Sequence, residues 1–474
     1  MGEACTVASR LDSPGAEPGP AGPPRVHVIT YGCQMNAFDS RRVVQVLARA
    51  GYVETADPAM ADVILVNTCS VRDAPEKKVL GTLSRLLPLK QMRPGLVFGV
   101  CGCVAQQHGS ALLDRVPYLD FVFGTDAVGR AAEVVEAARA GERVASTARM
   151  SRAGYEFVDV DPAVEPGPTA FLTIMKGCDK ACSYCIVPFV RGREVGKPLD
   201  RVLDEVRRLV AGGVREVTLL GQNVNAWGAD RPGGPGFADL LDAVDAVPGL
   251  SRLRFVTSHP ADADARMLSR FGRLRTLAEY LHLPVQSGSD SVLRRMRRGY
   301  TAAEYLDKVA MLRSSCPDAA LSTDIIVGFP GETAADFDAT MRLVEAARFD
   351  AMFSFKYSPR PHTAAFRLAD DVAEVEKARR LAEVQALQDR IGAERMALLL
   401  GRDVEVLVEG PSRDARTRGA GLEWMGRTRT NLVANFRARP PASPSVGSLL
   451  RVRVAEVLPH CLRCEVVGGA PAAG

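Results

Sequence analysis

From Arg25 onward the chain alternates short apolar runs with longer stretches in which apolar positions return every three or four residues. The runs at 26–30, 63–66 and 96–100 read as strands, and 40–50 and 74–87 between them as amphipathic helices. Strands that lack a polar face and alternate with helices predict a parallel sheet covered on both sides. Turn residues dominate 151–168, and a second series of units follows, with strands near 171–176, 215–220, 252–257, 280–285, 320–327 and 350–357. Helical stretches at 199–211, 303–314 and 334–347 separate them, so six units predict a partial (βα)6 barrel whose right-handed crossovers bring all strand ends to one rim. A charged helical period at 372–400 predicts a long helix leaving that barrel. Beyond Gly401 the texture is all-β, with strands at 404–408, 431–436 and 449–454 between Gly and Pro turns, as in a small OB-like barrel.

The expected organisation is therefore α/β and multidomain: a tail at 1–24, a parallel α/β domain at 25–150, a linker at 151–168, the partial barrel with its helix at 169–400, the β-barrel at 401–467 and a tail at 468–474. A chain of 474 residues exceeds one ordinary core, in agreement with two or three domains. The first 24 residues are rich in Pro, Gly and Ala and have too few large apolar side chains to fold. A net charge of +4 permits a phosphate-bearing partner without requiring one. The opening Met1-Gly-Glu-Ala-Cys-Thr6 fits a myristoylation pattern formally, but Glu3 and the sequence after it make chance the better reading. No apolar run approaches the roughly 18 residues of a membrane helix. Eleven cysteines, an odd number in metal-like spacings behind no leader, point to a reducing, cytoplasmic setting.

Cys178, Cys182 and Cys185 carry the sharpest chemistry. Their CxxxCxxC spacing, between a strand and the loop at 188–197, brings three soft thiolate ligands to one iron-sulfur cluster and leaves one iron open. A structural zinc site would want a fourth ligand, and neither a second knuckle nor a histidine follows. A second trio arises from periodicity. Cys33, Cys69 and Cys103 each lie where a predicted parallel strand ends, and such ends converge on one edge of the sheet. Cys101 points to the same side of its strand as Cys103, and only one of them is needed. The CxxC at Cys461 and Cys464 has no partner pair.

The cysteine loop, with Tyr184 within it, resembles the radical S-adenosylmethionine (SAM) superfamily. YGCQMN, VNTCSVR, GCVAQ, RGRE, LLGQNVNAWG, HLPVQSGSDSVLRRM, TDIIVGFPGET and FSFKYSPRP together resemble the methylthiotransferases, most closely the tRNA-2-methylthio-N(6)-dimethylallyladenosine synthases (MiaB type), from about Arg25 to about Val467. The resemblance implies two [4Fe-4S] clusters, one on Cys178, Cys182 and Cys185 whose open iron takes SAM, and an auxiliary one on Cys33, Cys69 and Cys103, the family motif aligning on Cys103 and leaving Cys101 to packing. It also implies that Tyr184, Gln222, Gln286, Ser287 and Gly328 lie at SAM, Gln222 at its amino group or at the substrate. Arg191 and Arg193 suit either the SAM carboxylate or RNA phosphate. Ser289, Asp290 and Asn225 are as well read as helix caps. RGREVGKP departs from the family's RGRExSRP at Gly196 and Lys197, which removes a serine hydroxyl.

The C-terminal segment resembles a TRAM domain. Arg413, Arg416, Arg418, Arg427, Arg429, Arg437 and Arg439, interspersed with Trp424 and Phe436, have the composition of an RNA-loop surface. The implied activity is radical insertion of a methylthio group at carbon 2 of N(6)-isopentenyladenosine at tRNA position 37. The implied partners are a tRNA anticodon stem-loop, a flavodoxin- or ferredoxin-like electron donor and a donor of sulfur for cluster repair, acting on a monomer. Threonylcarbamoyladenosine tRNA or a ribosomal-protein aspartate are the alternative substrates. An iron-sulfur electron carrier with an RNA-binding module is the alternative outside this class.

Overall fold

The computed structural model describes residues 22–69, 73–165, 167–412, 423–437 and 444–467. It divides into two compact units, Met1–Asp159 with Phe189–Gly192, and Val160–Pro188 with Arg193–Gly474. The expected tails at 1–24 and 468–474 fall almost wholly outside the described residues.

The first unit holds a six-stranded parallel sheet: β1 (Arg25–Tyr31), β2 (Val53–Glu54), β3 (Val63–Thr68), β4 (Val97–Gly102), β5 (Phe121–Phe123) and β6 (Val144–Ser146), in the order β2-β1-β3-β4-β5-β6. β3 and β4 are buried at every position, which is why they read as continuous apolar runs. Helices Gln34–Arg49 and Ala131–Arg139 cover one face through Val43, Leu47, Val134 and Val135. Helix Asp73–Met92 covers the other through Val79 and Leu83. The strands β2, β5 and β6 escape the sequence reading, being two or three residues long and too short for a periodic signal.

In the second unit, β7 (Thr169–Thr173), β10 (Glu216–Leu220) and β11 (Arg252–Phe255) form one parallel sheet. A second is made by β12 (Tyr280–His282), β13 (Ala320–Val327) and β14 (Ala351–Lys356), and a bridge between Leu253 and Leu277 joins the two into a split six-stranded half-barrel. A short antiparallel pair, β8 (Met175–Lys176) and β9 (Val195–Gly196), brackets the cysteine loop. Thr301 and Thr333 close capping boxes with Glu304 and Asp336 at the starts of helices Ala302–Ser315 and Ala334–Ala347. Helix Glu374–Ala397 then leads into a closed barrel of β15 (Asp403–Pro411), β16 (Glu423–Thr428), β17 (Val433–Arg437), β18 (Leu449–Leu458) and β19 (Cys461–Val466).

That small barrel sits on the amino-terminal edge of the half-barrel. Arg252, fully buried, donates to the carbonyls of Arg427 (2.5 Å) and Glu405 (3.2 Å) and pairs with the Glu405 carboxylate at 3.0 Å. Arg254 donates to the carbonyls of Thr428 (2.6 Å) and Arg429 (2.9 Å) and pairs with Glu216 at 3.0 Å. Arg429 returns a pair to Glu279 at 2.7 Å. Planar guanidinium forks suit such edges, where backbone carbonyls and carboxylates must be satisfied together.

Candidate active site

At the carboxyl end of β8 the chain turns through Gly177, at φ 77°, into the loop that carries Cys178, Cys182 and Cys185. Ser183 anchors this loop: its amide donates to the Met296 carbonyl (3.0 Å), its hydroxyl to the Arg295 carbonyl (2.8 Å), and its carbonyl accepts from Ala365 (2.7 Å). Tyr184 packs against the apolar cluster of Val292, Met296, Phe329 and Tyr357. Burial raises the Cys178 and Cys185 thiols to about 12, with neighbouring thiols adding to the effect. Thiolates there need a counter-charge, and Arg298 offers one by donating to the Cys182 sulfur at 3.3 Å while its other nitrogens bind the Pro284 carbonyl (2.7 Å) and the Tyr300 hydroxyl (2.9 Å). His259 lies 3.8 Å from Cys182, and burial, reinforced by Arg298 and Lys180, pushes its imidazole down to about 2.

Polar groups at the neighbouring strand ends surround this loop. The Gln222 carbonyl oxygen accepts from the Gly177 amide, and its Nε2 is buried without a hydrogen-bond partner. Asn223 donates to Asp262 (2.8 Å) and Glu194 (3.2 Å), while its Oδ1 is likewise orphaned, as is Ser258 Oγ. Orphaned buried donors and acceptors are costly unless a ligand completes them, and this mixed set fits the amino and carboxylate groups of SAM. Asn225 is no simple cap, for its amide clamps the His259 backbone from both sides at 2.8 and 3.0 Å.

Four of the residues expected at SAM or phosphate have partners within the fold. Ser287 is fully buried, its hydroxyl shared with Thr340 Oγ1 (3.2 Å) and the Ser289 amide (3.2 Å), so it supports the turn. At Gly328 (φ 69°) the Lys377 stem takes the space a Cβ would enter, 2.3 Å from that position, so helix packing requires this glycine. Arg193 is largely exposed and forks Asp179 at 2.7 and 3.1 Å, bracing the cysteine loop. Arg191 belongs to the first unit, where it is buried against Asp39 at 2.7 Å. Ser289 caps helix Asp290–Arg295. Gln286 lies at the end of β12, where its left-handed backbone (φ 76°) is held by hydrogen bonds to Asp324 and Ile326.

In the first unit the sheet edge gathers Cys33, Cys69 and Cys103. Cys69 shares hydrogen bonds with both other thiols, which lowers Cys33 to about 6 and Cys103 to about 7 against the opposing effect of burial, Arg191 assisting, while Cys69 itself is raised. Cys33 stands at the N-cap position of the sixteen-residue helix Gln34–Arg49, whose first amides favour a thiolate. Gly102, at φ 87°, turns β4 into the helix that starts at Cys103, and a Cβ there would meet the Thr68 carbonyl at 2.6 Å. Cys101 lies in the apolar core. Among the described residues no group of three or more His, Cys, Asp and Glu is placed to hold a metal ion. Three thiols without a fourth donor suit three of the four irons of a [4Fe-4S] cluster.

Residues 25–124 match the family described as "Uncharacterized protein family UPF0004", and 172–344 the Radical SAM superfamily. A tRNA-2-methylthio-N(6)-dimethylallyladenosine synthase from Anaeromyxobacter dehalogenans is 50% identical over 457 residues, covering 94% of this chain and 96% of its own length. The chain belongs to the family of tRNA-2-methylthio-N(6)-dimethylallyladenosine synthases. A family member from Geobacter metallireducens is 47% identical over 449 residues, covering 93% of this chain and 98% of its own. The fold is similar to that of the radical S-adenosylmethionine methyltransferase TsrM from Kitasatospora setae (TM-score 0.55, 14% identity, 73% of this chain and 74% of that one). As a radical SAM methylthiotransferase the chain is an enzyme, and its superfamily implies SAM and a [4Fe-4S] cluster.

Sequence reading missed Arg298, His259 and Ser183. Arg298 stands in a run of arginines that looks like a solvated helix end, and only the tertiary turn at Pro284 brings it to Cys182. His259, just past β11, carried a detectable signal in its place at a strand end. At the small barrel, Phe436 is core and 1% exposed, and Arg427 and Arg429 pair with Glu409 and Glu279, so these three are not free for RNA. Arg413, Arg416, Arg418 and Arg439 lie outside the described residues. Cys464 faces the barrel core, and Cys461, three residues before it on the same strand, points to the other side, so the two do not chelate. No helix among the described residues is long and apolar enough to cross a membrane.

Proposed function

We propose that this enzyme inserts a methylthio group at carbon 2 of N(6)-isopentenyladenosine at tRNA position 37, using two [4Fe-4S] clusters and SAM. The observation that carries the reading is the gathering of Cys33, Cys69 and Cys103 at one sheet edge, in a chain that also has a separate CxxxCxxC loop. A single cluster suffices to generate a radical, so a second open three-thiol site points to sulfur handling. When bound, SAM and the clusters supply the radical and the sulfur that an unactivated aromatic carbon demands. The protein's residues do the rest. Cys178, Cys182 and Cys185 hold the first cluster, Arg298 balances its negative charge, and Ser183 with the Arg193–Asp179 fork fixes the loop. The orphaned atoms of Gln222, Asn223 and Ser258 orient SAM, and Tyr184 with Phe329 walls off water. A flavodoxin- or ferredoxin-like protein supplies electrons in the cytoplasm.

Mass spectrometry of tRNA from cells lacking and then regaining the gene tests the substrate. The methylthio mark on isopentenyladenosine disappears and returns; its persistence in the deletion strain overturns the proposal. In vitro, Cys182→Ala abolishes 5′-deoxyadenosine formation while Cys69→Ala retains it and loses methylthiolation, and equal loss in both would merge the two roles.

A further inference from the structure

Arg191 is the one expected SAM or phosphate contact that packs among the thiols of the first unit. Its guanidinium pairs at 2.7 Å with Asp39, on the helix that starts just after Cys33, with side-chain exposures of only 6% and 12%, and its charge helps to lower the Cys33 and Cys103 thiols. The short helix Val187–Arg191 is pinned here by Thr125, whose hydroxyl donates to the Val190 carbonyl at 2.7 Å. Phe189–Gly192 thus returns to the first unit, although the chain on both sides belongs to the second. A buried guanidinium keeps its charge at any working pH and acts through a medium that screens it weakly. Charge beside a cluster, and hydrogen bonds to its sulfurs, set how readily it accepts an electron.

We propose that Arg191, with Asp39 as its counter-charge, sets the reduction potential of the auxiliary cluster on Cys33, Cys69 and Cys103, and does not serve as a SAM or phosphate contact. This rests on reading that trio as cluster ligands. One electron enters the cluster on reduction, and the added negative charge is stabilised by the guanidinium and opposed by the carboxylate. The two side chains therefore act with opposite sign.

The test uses the full chain with Cys178, Cys182 and Cys185 all changed to Ala, reconstituted with iron and sulfide and titrated with redox dyes while the reduced cluster is followed by electron paramagnetic resonance. Arg191→Met lowers the reduced-to-oxidised ratio at fixed potential about tenfold, a shift of about 59 mV for one electron. Asp39→Asn raises that ratio, and Arg191→Lys, which keeps the charge, restores it toward the parent. Should Arg191→Met fail to hold iron, the Asp39→Asn and Arg191→Lys shifts decide alone. Unchanged potentials, or shifts of the same sign for Arg191→Met and Asp39→Asn, overturn the proposal while leaving the cluster reading intact. Absence of iron and sulfide in the triple-alanine parent overturns both.

Discussion

Single side chains in this enzyme are defined by what surrounds them more than by their type. Cys33 and Cys103 are lowered by a shared thiol and a nearby guanidinium, whereas Cys178 and Cys185 are raised by burial among other thiols. Glu332 is another case. Its carboxylate accepts from the Gly328 amide (2.6 Å) and pairs with Arg380 (2.7 Å), yet burial dominates and lifts it above its ordinary 4.5. A carboxyl raised in the fold contributes stability that is complete below 4.5 and is lost as pH rises through the folded value. The stability of the parent relative to Glu332→Gln therefore declines as pH is raised from 4.5 to 7, as read from urea midpoints. A rising difference would mean that the Arg380 pair outweighs burial.

At the level of elements, turns place the ligands. Gly102 carries β4 into Cys103 with a backbone that leaves no room for a side chain. Gly102→Ala pushes the turn off the Thr68 carbonyl and displaces Cys103, so reconstituted iron falls to about half while 5′-deoxyadenosine formation persists. The long strands and the cysteines at their ends were legible because both signals are local: an apolar run and a residue type at its end. The partners were not. Arg191 meets Asp39, and Arg254 meets Thr428, from far along the chain, so nothing in the neighbouring residues announces either pair. Phe436 was misread for a related reason, since an aromatic in a strand looks the same whether its face is core or solvent.

Across the second unit, Arg252 and Arg254 join the small barrel to the half-barrel, two buried guanidinium groups set among backbone carbonyls and carboxylates. Breaking a buried ionic contact by removing one partner leaves the other charge stranded, at a cost of about 3–5 kcal/mol. Arg254→Met, which leaves Glu216 only its longer 3.8 Å pair with Arg252, should lower the denaturant midpoint toward the low end of that range, and a loss below about 1 kcal/mol would show that the contact is solvated. These contacts lie at the start of β10 and β11, whereas Gln222 and the cysteine loop lie at the opposite ends of the strands. The five residues of β10 separate the two places by about 15 Å. That spacing divides the labour of a single strand: one end of β10 answers to the barrel it holds, and the other, a strand's length away, answers to the cysteine loop.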